Sequence, residues 1–167
     1  MNQLTEQQIR TAFVNASRRE ANNATLPDLA ALDWDRLDYL GWQDRKAPLS
    51  SYVVAEVDGQ PVAVLLRAAE RTGKRRKAVC AWCEDVIATD DVGLYVARRG
   101  GAPGRKGDTI GTLICSDFRC SQNVRRKPTR TEAGNASPEE LELIVQLRIE
   151  GLRERSEKFL REVARTR

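Results

Sequence analysis

The sequence predicts an α+β fold. Three observations carry that expectation: two strand–turn–strand patterns in the middle of the chain, helical apolar rhythms at both ends, and four cysteines arranged as two close pairs between them. The pairs are Cys80 with Cys83 and Cys115 with Cys120, a C-x2-C and a C-x4-C separated by 31 residues. A two-residue spacer in a tight turn aims both sulfurs at one ion, and four thiolates complete the tetrahedron that zinc prefers. Histidine is absent from the sequence, so the expected ligand set is Cys80, Cys83, Cys115 and Cys120. Four protein ligands leave no position for water or substrate, which makes one structural Zn2+ the expectation. A disulfide, a redox C-x-x-C and inert buried thiols are the competing readings. Disulfides need an oxidising compartment, a redox motif leaves the second pair unexplained, and inert thiols have no reason to pair in sequence.

The 167 residues suffice for one domain with a moderate core. No apolar run approaches the ~20 residues of a membrane span, and the first residues lack the basic and apolar regions of a secretory signal. The expected location is therefore a reducing cytoplasm, with no membrane partner. From Arg67 to Arg130 there are 15 Lys and Arg against 7 Asp and Glu, a local charge of +8 within a net charge of +4. A basic middle between mildly acidic ends points to an anionic partner.

In chain order, Thr5 and Gln8 form a capping box that predicts a helix from about Glu6 to Glu20, with Ile9, Ala12, Phe13 and Ala16 as its apolar stripe. A short second helix is expected from Asp28 or Asp33 to Leu40, stopped by Gly41, with Trp34, Tyr39 and Trp42 covering the core. Tyr52 to Val57, Asp58-Gly59 and Val62 to Leu66 spell a hairpin. Arg71 to Lys77 is a basic stretch that either is solvated or contacts phosphate. The second hairpin has arms Val92 to Ala97 and Thr109 to Ile114. Its loop, Arg98 to Gly107, is rich in glycine and basic residues, either mobile or tightly turned, and a candidate for binding a partner.

Beyond it, the stretch from Cys115 to Cys120 should turn into a short helix through about Val124, capped by Ser116 or Asp117 and carrying the last thiolate in its first turn. A polar linker then reaches Ala136. Ser137, Pro138 and Glu140 start a last helix to about Ala164, whose stripe of Leu141, Val145, Ile149, Leu152, Phe159 and Val163 breaks at Ser156. It can pack within the chain or pair with a second copy; packing within the chain, as a monomer, is the expectation. The divisions are 1–48 as an N-terminal helical segment, 49–130 as hairpins and zinc finger, and 137–167 as a helix packed on the same unit.

Knuckle, hairpin and then a helix bearing the last ligands is the order of a treble-clef finger. In Cys80-Ala-Trp-Cys83, Asp91-Val-Gly-Leu-Tyr-Val-Ala-Arg-Arg99, Gly111-Thr-Leu-Ile-Cys115 and Cys120-Ser-Gln-Asn-Val-Arg125, and also in Tyr39-Leu-Gly-Trp42 and the Tyr52 hairpin, the chain resembles the elongation factor G-binding proteins, the FusB-like group with a C-terminal treble-clef zinc finger. The resemblance implies that the four cysteines hold zinc and that the finger binds elongation factor G. Expected contacts are Arg98, Arg99, Arg105, Lys106 and Arg119, with Arg75 and Arg76. Direct binding of structured RNA by the same basic face is the alternative, with Trp82 stacking on a base or packing on the hairpin. An enzyme is not expected: the sequence has no phosphate-binding glycine motif and no nucleophile elbow.

Overall fold

The computed structural model describes residues 1–69 and 77–166. Its centre is a five-stranded antiparallel sheet in the order β1-β2-β3-β4-β5. The strands are β1 (Leu40–Gln43), β2 (Ser50–Val57), β3 (Gln60–Ala68), β4 (Val92–Arg98) and β5 (Thr109–Cys115). Both expected hairpins are present. Asp58-Gly59 turns the first, with both residues at positive φ (52° and 75°), and Val57 pairs with Gln60 as a two-residue turn requires.

Alternation along the strands divides the core in two. One face of β2 and β3 carries Val53, Ala55, Val57, Val64 and Leu66. It packs with the cysteines, with Trp82, and with helix α6 (Pro138–Ala164) through Ile149, Leu152, Phe159, Leu160 and Val163. The opposite face carries Tyr52, Val54, Ala63 and Leu65, covered by Leu4, Ile9, Trp34 and neighbouring N-terminal residues. Tyr39, Trp34 and Trp42 are all buried, as expected of core aromatics.

Two N-terminal expectations are corrected. The helix predicted over 6–20 is two helices, α1 (Glu6–Thr11) and α2 (Arg18–Asn23). A second capping box, Ser17 with Glu20, starts the latter. Between them Phe13 bridges to Ala63, and the Asn15 amide pins two strands, accepting from Leu65 N at 2.8 Å and donating to the Leu65 and Arg98 carbonyls at 2.9 Å each. The helix expected up to Leu40 is instead two 3₁₀ turns, Leu29–Ala31 and Trp34–Arg36, followed by β1. Gly41 does not stop a helix. It sits in β1, where a side chain would collide with the Phe118 ring at 2.6 Å. The sheet won because β1 closes the edge of β2, pairing Trp42 with Tyr52.

Later elements follow the sequence more closely. Helix α6 has the predicted start, with Ser137 and Glu140 bonded reciprocally and Pro138 in its first turn. Ser156 does not break its stripe: it is fully buried, its hydroxyl donating to the Arg153 carbonyl at 3.0 Å. The segment expected to be a plain linker contains a short helix, α5 (Arg130–Ala133), started by a Thr129–Glu132 capping box. The glycine-rich loop is not loose. It folds into α3 (Gly101–Arg105) and is tied to the end of α6 by Gly100 N donating to the Val163 carbonyl at 2.7 Å. No helix among the described residues is long and apolar enough to cross a membrane.

Candidate metal centre

The two cysteine pairs arrive from three places: the knuckle after the first hairpin, the end of β5, and the start of helix α4 (Cys120–Val124). All four sulfurs lie within 4.8 Å of one another and all four residues are buried. Cys80 Sγ is 3.6 Å from Cys120 Sγ, and Cys83 Sγ is 3.7 Å from Cys115 Sγ. Bonds of 2.3 Å in a tetrahedron place ligand sulfurs about 3.8 Å apart. The spacing therefore fits one zinc ion, and is too long for a bonded sulfur pair near 2.05 Å. The four cysteines are clustered to hold one metal ion, and the donor set of four sulfurs suits structural Zn2+.

Local hydrogen bonding explains why the knuckle holds this shape. The amides of Trp82 and Cys83 donate to Cys80 Sγ at 3.4 and 3.5 Å. Glu84 N closes the turn on the Cys80 carbonyl at 2.9 Å, with Glu84 at φ 52°. On α4, Asn123 Nδ2 donates to Cys115 Sγ at 3.4 Å and to Cys83 Sγ at 3.8 Å. Hydrogen bonds from the neighbouring cysteines hold Cys80 far below the ordinary thiol value, whereas hydrogen bonding with the same neighbours, followed by burial, drives Cys120 upward. The sulfurs thus compete for negative charge, and a cation among them is what lets all four be thiolates this close together. Burial, then the charge at Cys120, also pushes the Tyr39 hydroxyl well above its ordinary value.

The expected cap of α4 differs. Neither Ser116 nor Asp117 caps it; Arg119 stands at that position without a side-chain cap, and Asp117 Oδ1 instead accepts from Arg119 N at 3.1 Å. Phe118, at φ 58°, turns its ring inward over Gly41 and seats the ligand loop on β1.

Around the centre, arginines join elements that are far apart in sequence. Asp38, whose side chain is fully buried, receives Arg125 of the segment after α4 and Arg153 of α6. Arg126 pairs with Asp85 at 2.6 Å and with Glu132 at 2.7 Å, and Arg148 also reaches Glu132 at 2.7 Å. Arg126 holds the Glu132 carboxyl well below the usual carboxylate range. Burial pushes Asp85 up, but Arg126 and the Ile87 and Ala88 amides outweigh it and leave Asp85 lowered. Arg155 donates to the Trp82 carbonyl at 2.7 Å and pairs with Glu84 at 3.0 Å, fastening α6 to the knuckle.

The expected contact residues fall in separate places. Arg98, Arg105 and Lys106 are exposed around the tip of the second hairpin. Arg99 is half-buried there, donating to the Glu162 carbonyl and pairing with its carboxylate at 3.5 Å. Arg119 is exposed beside the metal centre, paired with Asp117. It lies beyond the opposite end of β5, roughly 20 Å away for a strand of this length. Arg75 and Arg76 lie outside the described residues. Trp82 is core: it is 2 % exposed, bonded through its indole nitrogen to Thr112 Oγ1 at 3.1 Å, and packed on Tyr39 and Phe159.

Residue spacing singled out neither Asn123 nor the arginine network. A weak sign of the first was an amide one turn beyond Cys120 on the same helix; for the second, Thr129-x-x-Glu132 was a legible capping box.

These features define a treble-clef zinc finger with a closed four-sulfur centre, built into a sheet rather than standing alone. A model of the family "FBP C-terminal treble-clef zinc-finger" matches residues 8–163, and the chain belongs to that family. Among solved structures, that of the fusidic acid resistance protein FusC is similar, with a TM-score of 0.56 and 21% identity. The similarity covers 74% of this chain and 53% of that one, so the chain spans about half the length of FusC. No curated protein matches the sequence.

Proposed function

We propose that this chain is a non-catalytic zinc-finger protein of translation that docks on elongation factor G, alone or on the ribosome. The choice of partner comes from its family and from its resemblance to the elongation factor G-binding proteins. The observation that carries a docking role is the outward face of the zinc-stapled hairpin. Leu94 and Leu113 stand opposite each other in register, 47% and 39% exposed, on the face that the N-terminal helices cover over β2 and β3. Arg98 and the exposed Arg105 and Lys106 lie at the tip beyond them. Apolar anchors beside arginine suit a protein contact, and the basic tip favours an acidic partner. Zinc supplies the stiffness that keeps the hairpin in one geometry.

The test is titration of purified elongation factor G, and separately of ribosomes, with the wild-type chain and with a Leu113→Asp, Arg105→Glu double variant. Wild type should bind and the variant should weaken binding at least ~10-fold while retaining zinc and its circular dichroism. Absence of binding to both partners sinks the reading. Binding to structured RNA with a steep salt dependence, and none to the factor, moves the function to RNA.

A further inference from the structure

The metal centre has an inner and an outer edge. On the inner edge, Cys80 and Cys120 are 0 % exposed, and backbone amides of the knuckle serve Cys80. On the outer edge, Cys83 lines a groove of about 350 Å³ between knuckle, α4 and α6, together with Asn123, Ile144, Leu147 and Arg155. The side-chain amide of Asn123 lies across that edge, donating to both Cys115 and Cys83. A zinc ion with four thiolates carries a charge of −2, and donors to sulfur offset it where water is excluded. Among the described residues, Cys83 at the groove and Cys115 beside it take their nitrogen donor from one side chain rather than from fixed backbone.

We infer that Asn123 is the positioning residue that governs how tightly the centre holds its metal and how fast metal leaves through the groove. It acts through Cys115 and Cys83 and does not ligate. Withdrawing its hydrogen bonds makes both sulfurs more electron-rich and opens the outer edge to competing ligands. The inference does not depend on which partner the protein docks on.

Three full-length variants separate this role from simple packing: Asn123→Leu removes the donor, Asn123→Asp replaces it with an isosteric group that cannot donate, and Val124→Ala loosens the adjacent, 1 % exposed core position. Each is loaded with zinc and mixed with a colorimetric zinc chelator, then loaded with cobalt(II) to record the sulfur-to-metal charge-transfer bands. Asn123→Leu should release zinc about 10–100-fold faster, and Asn123→Asp at least as fast. Both should shift the cobalt bands to lower energy, while Val124→Ala leaves them in place. If Asn123→Leu does not fold, the Asp variant carries the test alone. Wild-type bands together with release within about twofold of wild type, in either Asn123 variant that folds, overturn the inference.

Discussion

At the scale of single residues, the arginines that made the middle of the chain look like one basic surface divide into two groups. Arg125 and Arg126 are spent on buried carboxylates, whereas Arg105 and Lys106 face solvent. Charge counting along a sequence registers both alike, because the acids that claim the first group lie outside the basic stretch, at Asp38 and Glu132, or, like Asp85, enter the count only as one acid among seven. Removing one partner of a mostly buried pair strands the other charge. Arg126→Gln should therefore cost about 3 kcal/mol at pH 7, measured by urea unfolding of the zinc-loaded protein. The sign of the pH effect follows from Glu132. Its folded value is depressed, so its contribution is present above the unfolded value near ~4.3 and is lost as pH falls below that. The gap between wild type and variant should be steady from pH 7 to 5 and narrow below about pH 4.3. A gap that widens there contradicts the assignment.

At the scale of elements, legibility followed the range of the forces involved. Capping boxes and the Asp58-Gly59 turn are local, and the starts of α1 and α6 and the first hairpin stood where they were expected. The cysteine spacing, a local signal repeated twice, located the metal centre. Apart from the Ser17–Glu20 and Thr129–Glu132 capping boxes, which are local, what escaped was decided across the sheet. The stripe of Ile9, Ala12, Phe13 and Ala16 continues a helical rhythm, yet the helix ends at Thr11 because Phe13 and Asn15 gain more by engaging β3 and β4. Strand β1 was unreadable for the same reason, since four residues pair only because β2 presents an edge. Asn15 offers the sharpest test at this scale. Asn15→Leu leaves the Leu65 amide without its partner and should cost about 2 kcal/mol. Amide exchange at Leu65 should accelerate as well. An unchanged unfolding midpoint would show that the pin is dispensable.

At the scale of the whole molecule, the two core clusters share β2 and β3 as a common wall. The metal belongs to one cluster only: all four cysteines pack with Trp82 and α6, and none with the N-terminal helices. Structural zinc contributes on the order of 10 kcal/mol, against a typical total stability of 5–15. Chelation should consequently expose Trp82 and, through the shared strands, Trp34 and Trp42 in the same transition. Near-ultraviolet circular dichroism and tryptophan emission should change together, and elemental analysis of the native protein should give about one zinc per chain. Retention of the near-ultraviolet signal after complete metal removal would mean that the sheet stands without its ion.

The placement of Phe118 over Gly41 carries that coupling outward to the sheet's first strand. The ring occupies the space that any side chain at 41 would need, so the loop between the last two ligands is moulded on a bare stretch of backbone. A mutational scan scored solely by zinc retention should consequently flag a glycine in a strand, far from every sulfur in sequence. Grafting the finger onto another scaffold would have to bring that strand along.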